Sequence, residues 1–310
     1  MRSVIKQSYT FTEEYSIDSV VGLSEKDAIV LATSQSGEYV LIYVLNDKHF
    51  IKSLSNIPAM EKYKIAIRNL FVKIMLFKYK SGFGLIIEDY IYIWNSFDSE
   101  FKELQITNDF LPDKANRHIH KLRGSEIINT NSLLVLLSDY FISYSARYYS
   151  FLKLYESNAK WEGGLIELDV HQYGLEKGLQ GWIVIEDAIM NNEILTIFTI
   201  GEEKNYYKYG MDLSVMSKTN LNSKMIKGRK VEPGFGNFNT SKDFLIIHSL
   251  KKKSKLYFYR LQDDKVHELS LSVTRNLGKG SNEYIRCDLI GNSLWIFNAD
   301  MLNLCEITLE

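Results

Sequence analysis

Side chains able to do chemistry are few and scattered in this chain. His118 and His120 stand two residues apart, a spacing that puts both imidazoles on one side of a strand, and Asp113 or Asp109 would add a carboxylate to make a cation site. No third ligand stands at a defined spacing and no His-Glu-x-x-His segment occurs, so two polar strand residues are expected here and no metal. Glu186, Asp187, Arg286 and Asp288 lie on segments that would converge at the centre of a closed array of strands. Two carboxylates there would suit glycoside hydrolysis only at a fixed separation, and satisfied ion pairs are the simpler expectation. Neither Gly-x-Gly-x-x-Gly nor Gly-x-x-x-x-Gly-Lys-Ser/Thr is present, and Pro233-Gly234-Phe235-Gly236 reads as loop, so no cofactor is expected.

Charge narrows the partners. The 310 residues carry 37 basic and 38 acidic side chains, a balance that excludes a dedicated nucleic-acid binder, which needs a surplus of phosphate-neutralising cations. One basic neighbourhood exists, Lys251-Lys252-Lys253-Ser254-Lys255 with Lys224, Lys227, Arg229 and Lys230, and it suits a solvated turn or the steering of an acidic partner. Cys287 and Cys305 are the two cysteines, outside any C-x-x-C arrangement, as a reducing compartment allows. The start has no apolar run of signal-peptide length, and stretches such as Leu133 to Leu137 fall far short of a membrane span. A cytoplasmic location and no membrane contact are expected. Abundant Lys, Ile, Asn and Tyr with three prolines match an AT-rich bacterial coding sequence.

These residues need elements to hold them, and the elements repeat. A short apolar run recurs as Ala28-Ile29-Val30-Leu31, Leu85-Ile86-Ile87, Leu133-Leu134-Val135-Leu136, Ile194-Leu195-Thr196-Ile197, Phe244-Leu245-Ile246-Ile247 and Leu294-Trp295-Ile296-Phe297. The interval averages about 53 residues between Ile29 and Leu294. A polar pair such as Lys26-Asp27, Asn192-Glu193 or Lys242-Asp243 precedes most of the runs. Within a unit a Tyr-rich alternating segment follows, then a more polar one, as in Lys255 to Leu261 and Lys265 to Leu271. Segments ahead of the runs, such as Ile17 to Leu23, Trp182 to Ile189 and Tyr284 to Ile290, bring each unit to four strands. Tyr63, Ile67, Leu70 and Phe71 are spaced for a short helix over Ala59 to Phe71, and Ala146 to Tyr155 fits a helix face as well as the strand chosen for it.

In layout the chain resembles a six-bladed β-propeller, an all-β fold of four-stranded blades, with residues 1–310 as one domain. The last unit is one strand short and Ser3 to Phe11 is an extra strand at the start, so the N-terminal strand is expected to complete the last blade and close the ring. No Trp-Asp blade ending, kelch double glycine or Ser-x-Asp-x-Gly-x-Thr-Trp box is present, so no particular propeller family is matched.

In such a layout the connections between strands two and three, and between units, share one face. That face is expected to hold the long segments Ser55 to Lys64, Asn108 to Arg117, Ser138 to Arg147, Asp169 to Gln180, Lys218 to Gly234 and Val273 to Asn282. The opposite face takes short turns such as Ser24 to Lys26, Asn46 to Lys48 and Asn129 to Asn131. Tyr140, Phe141, Tyr144, Arg147, Tyr148, Tyr173, Tyr206, Tyr207, Arg229 and Phe235 lie in or beside the long segments and are the expected partner-binding residues, because Tyr and Arg bury large area while keeping a polar handle. Aromatics folded over the channel and packed on one another are the structural alternative. The expectation is a non-catalytic protein that holds one protein partner on this face, most concretely an immunity-type inhibitor of a bacterial toxin. The alternative is a propeller enzyme or a binder of sugars or nucleotides in the channel.

Overall fold

Polar turns alternating with β-branched and aromatic runs favour short antiparallel ladders, in which every backbone N–H and C=O finds a partner. The computed structural model describes residues 2–11, 14–62, 74–107, 118–121, 132–138, 147–162, 184–191, 194–200, 205–209, 215–220, 225–226, 229–230, 238–240, 244–248, 255–260, 265–270, 286–298 and 301–308. Side chains are described at 3–11, 14–62, 74–107, 133, 152–161, 244, 246, 256–260, 265–269, 287–298 and 301–308.

Strand β1 (Arg2–Thr10) is followed by a first unit of β2 (Tyr15–Gly22), β3 (Asp27–Ser34), β4 (Tyr39–Leu45) and β5 (Lys48–Ser53), then a helix α1 (Pro58–Lys62). The second unit comprises β6 (Ile74–Tyr79), β7 (Gly82–Ile87), β8 (Tyr90–Trp94) and β9 (Phe101–Thr107). The third comprises β10 (His118–Lys121), β11 (Ser132–Ser138), β12 (Arg147–Leu154) and β13 (Asn158–Glu162). The fourth comprises β14 (Val184–Asn191), β15 (Ile194–Ile200), β16 (Asn205–Tyr209) and β17 (Val215–Asn220). A small hairpin, β18 (Met225–Ile226) with β19 (Arg229–Lys230), precedes the fifth unit, β20 (Phe238–Thr240), β21 (Phe244–His248), β22 (Lys255–Arg260) and β23 (Val266–Ser270). The last strands are β24 (Arg286–Ile290), β25 (Ser293–Phe297) and β26 (Met301–Thr308).

Each unit pairs as an antiparallel meander in chain order, and β1 lies antiparallel along β26 from Arg2↔Thr308 to Thr10↔Met301, giving the sheet order β1-β26-β25-β24. The fold is all-β and propeller-like. One point differs from the expected layout. The second and third units form one eight-stranded sheet, because their outer strands β9 and β13 pair in parallel at Asn158↔Gln105, Ala159↔Ile106 and Lys160↔Thr107. That pairing uses edge groups that would otherwise be exposed, over a shared core of Leu104, Ile106, Leu154, Ala159 and Trp161. Of the helix expected over Ala59 to Phe71, Pro58–Lys62 marks the described start, and residues 63–73 lie outside the described residues. Of the stretch Ala146 to Tyr155, which fits either a helix face or a strand, Arg147–Leu154 is strand β12.

The apolar runs have a simple physical cause. In β3, Ala28, Val30 and Ala32 join one core cluster while Ile29 and Leu31 join another, so successive side chains are buried on opposite faces. A strand covered on both faces reads as a continuous apolar run, as β7 and β25 also do. The clusters lie between successive sheets. Ile29 and Leu31 meet Leu85, Ile87 and Trp94 of the second unit, and Phe77, Ile86 and Ile93 meet Leu133, Leu152 and Trp161 of the third. Phe244, Ile246 and Phe258 meet Leu294, Ile296 and Cys305. Tyr9, Phe11, Trp295, Phe297 and Leu302 pack against Val20, Val30, Val40 and Ile42, joining the last sheet to the first.

Candidate functional site

An antiparallel meander sends its first-to-second and third-to-fourth connections out of one end of the sheet, and its second-to-third and onward connections out of the other. The long segments 54–73, 108–117, 139–146, 163–183, 221–237 and 271–285 all emerge at the second end. The first end carries mostly short turns, among them 46–47 and 80–81, which open with Asn46 and Lys80 at φ 52°, the left-handed conformation tight hairpins require. The interval 122–131, between β10 and β11, also belongs to the first end, and the turn expected at Asn129 to Asn131 falls within it, outside the described residues.

At the loop-bearing end the first long connection is fastened to the second unit. Leu54, Ile57, Ala59 and Met60 are buried with Tyr92, the Ala59 N–H donates to the Tyr92 hydroxyl at 3.1 Å, and Lys62 Nζ donates to the Tyr90 hydroxyl at 3.1 Å. Burial pushes the Tyr92 hydroxyl well above the ordinary tyrosine range. Nearby, Thr33 donates to Asp18 at 2.6 Å, and Tyr39 is raised above its ordinary value by burial and then by the Asp18 charge. Asp18 stands where the ladder to β3 slips between Ile17 and Ser19. The same slip recurs at His120, between Ile119 and Lys121, and at Glu186, between Ile185 and Asp187. All three bulges fall opposite the step between the fifth and sixth residues of the second strand, Leu31/Ala32, Leu136/Leu137 and Phe198/Thr199. At His120 the slip interrupts the strict alternation that the paired-imidazole reading needs. No group of three metal-ligating side chains occurs among the described residues.

Of the central acids and bases, Asp288 is the one whose side chain is described. Its Oδ2 accepts the Gly22 N–H at 2.9 Å, across the seam between the last and first units. Lys78 of β6 donates to the Leu23 carbonyl at 2.6 Å. Burial lowers the Lys78 pKa from its ordinary value, and the charges of Asp288 and Asp27 partly oppose that. Asp27 in turn accepts from Ser24 and, at 3.0 Å, from the Tyr43 hydroxyl, which is pushed up to about 12 by burial and by that hydrogen bond. This cluster ties three units together by satisfied hydrogen bonds. Lys78 was not anticipated, although a lone cation in the run Ile74-Met75-Leu76-Phe77-Lys78-Tyr79 is the signal for it.

The expected partner-binding residues are placed as follows. Arg147 and Tyr148 open β12, adjoining segment 139–146 and paired with Ser138 and Leu137. Tyr206 and Tyr207 are strand residues of β16, paired with Phe198 and Ile197, and Arg229 pairs with Ile226 in the small hairpin. Tyr140, Phe141, Tyr144, Tyr173 and Phe235 lie outside the described residues, as do Asp109, Asp113, Lys224, Lys227 and 251–254. Glu186, Asp187 and Arg286 are placed by their backbone within β14 and β24.

Strand order therefore defines the class, an all-β propeller-like protein built from consecutive four-stranded meanders. No protein-family model matches the chain, and no curated protein matches it in sequence. Among solved structures it is similar to the β-propeller domain of Cps50 (Swd1) from Myceliophteria thermophila, at 9% identity, with 99% of this chain and 100% of that one covered and a TM-score of 0.49. It is also similar to the extracellular domain of the one component system BT4673 from B. thetaiotaomicron, at 12% identity and TM-score 0.43, covering 97% of this chain. Chaetomium thermophilum Raptor matches at 10% identity and TM-score 0.43, covering 99% of this chain. The chain spans 40% of the length of the former and 24% of the latter.

Proposed function

We propose that this chain is a six-bladed propeller, closed by β1 completing the last blade, and that it is a non-catalytic cytoplasmic protein holding one protein partner at its loop-bearing end. The observation that carries the reading is the distribution of connections, with the long ones gathered at one end of the sheets, all but 122–131. Closure is supported by the full-length β1–β26 ladder, by the core shared between the last and first sheets, and by β2 lying against both β6 and β24. The buried, unbridged Cys287 and Cys305 favour a reducing compartment, and among the described residues no helix is long and apolar enough to cross a membrane. A stiff platform that presents loops suits occlusion of another protein's site. Its most specific form is an immunity-type inhibitor that neutralises a bacterial toxin.

A tagged pull-down from the native host, at low and moderate salt, tests this. The expected result is one protein recovered in near-equal amount, and its loss when Tyr140, Phe141 and Tyr144 are replaced together by alanine. Stoichiometric capture unaffected by that triple replacement removes segment 139–146 from the interface, and a preparation without any partner overturns the reading.

A further inference from the structure

A crevice of ≈ 540 Å³ opens at the opposite end of the sheets from the long connections, between the second and third units. Its origin lies in the edge pairing of β9 with β13, which begins at Gln105↔Asn158. Ahead of that point the β8–β9 connection and the β12–β13 turn stand apart, and the gap between them is floored by Ile93, Leu104 and Leu154. Tyr79 and Tyr155 wall it. Tyr79 is fixed from behind by edge contact with Phe77 at 6.5 Å, whereas the Phe101 ring turns to the other face of the sheet, edge-on to Tyr92 and Trp94. Tyr155 is 38% exposed. The rim holds Lys80, Asn95, Glu100, Lys102 and Glu156, so ammonium and amide donors alternate with carboxylate and amide acceptors.

The volume falls within the roughly 300–1,000 Å³ of small-molecule sites. Lys80 and Lys102 are set against Glu100 and Glu156 on the lining, with Lys153 Nζ 5.4 Å over one face of the Tyr155 ring, and the two glutamates would repel a phosphate or nucleotide that the lysines attracted. An aromatic wall with a rim of both donors and acceptors matches a ligand with one C–H-rich face and a ring of hydroxyls. We propose that this crevice binds an uncharged saccharide, stacked against Tyr155 with its hydroxyls on the Lys102 and Glu156 side of the rim. The site is independent of the protein-binding reading, because it lies at the other end of the sheets.

Saturation-transfer NMR on the full chain with maltose, cellobiose and chitobiose, and with ATP and inorganic phosphate as charged probes, tests it. Saturation transfer to at least one disaccharide is expected, with affinity about tenfold weaker in Tyr155→Ala and clearly weaker in Glu156→Gln. Both substitutions are at exposed positions beside a turn, so the fold is retained, and circular dichroism checks this. Tyr140→Ala with Phe141→Ala and Tyr144→Ala leaves saccharide binding unchanged. Transfer to none of the disaccharides overturns the proposal, as does transfer insensitive to both crevice variants or stronger for ATP and phosphate than for any sugar.

Discussion

Phe11 offers the most direct test of closure. It follows β1 and is 6% exposed, and it packs in a cluster that draws Val20, Val30, Val40 and Ile42 from the first sheet and Trp295, Phe297 and Leu302 from the last. Its ring also meets His49 edge-on at 6.0 Å. Phe11→Ala removes a buried ring from a cluster that joins the two ends of the chain, at a cost of about 3–5 kcal/mol. At roughly 2.1 cal/mol/K of unfolding entropy per residue, a 310-residue chain loses about 1.5 °C of melting temperature for each kcal/mol. A ring that melts as one unit is thus expected to lose about 5–8 °C in a calorimetric scan while keeping a single transition. Phe50→Ala is the control, since Phe50 is 49% exposed on β5 and its loss should stay within about 0.5 kcal/mol. A Phe11→Ala change below about 1 kcal/mol, or a new early transition that leaves the main one in place, would refute the idea that the ends are locked together.

Three further outcomes follow from local geometry. The Cys305 thiol is fully buried, and burial pushes it from its ordinary 9.0 up to about 11. The folded chain therefore holds its proton over a window where the unfolded chain has lost it, so stability falls by up to about 2.7 kcal/mol as pH rises from about 9 through 11. Urea midpoints across that window should show a shallower decline in Cys305→Ala, and an identical decline rejects the assignment. In Gly84→Ala the new methyl would lie inside the contact distance of the buried Phe77 ring, costing about 1–3 kcal/mol. Phe77→Leu should recover part of that loss in the double variant, and strictly additive costs would show that the ring is not the obstacle. Asp288→Ala strips the Gly22 N–H of a charged acceptor and should cost about 1.5–3 kcal/mol. Combined with Lys78→Met, the total should fall short of additivity by about 0.5–1 kcal/mol, whereas additive values would uncouple the two side chains.

What could be read from the residues depended on how local its cause was. The recurrent runs were legible because burial on both faces writes itself into consecutive residues, as Ala28, Ile29, Val30 and Leu31 show. The end of the sheets that carries the long connections followed from counting strands. The β9–β13 edge pairing left no trace, since Gln105 and Asn158 are ordinary polar residues whose meeting depends on the rest of the fold. For a related reason His118-Ile119-His120-Lys121 could be read as strand but not assigned its partner, since nothing in those residues shows that they pair with β11. Lys78 escaped notice because it is an isolated charge in an apolar run, and Asp27 was read only as part of a turn, so their joint role emerges only once β6, β3 and β24 are brought together. The crevice at Tyr155 belongs to the same class, assembled from three turns distant in sequence.

The parallel ladder between β9 and β13 also changes how this chain should breathe. Where units touch only through side chains, each can open on its own, and its amides exchange with solvent at that unit's own free energy. Residues 74–162 instead contain two meanders stitched through backbone hydrogen bonds, with Ile106 and Ala159 buried at the stitch. Opening either meander strips bonds from the other, so deuterium uptake at Gln105, Ile106 and Thr107 should follow that at Asn158, Ala159 and Lys160. The pair behaves as one cooperative block, and a partner or ligand that clamps one half slows exchange in both.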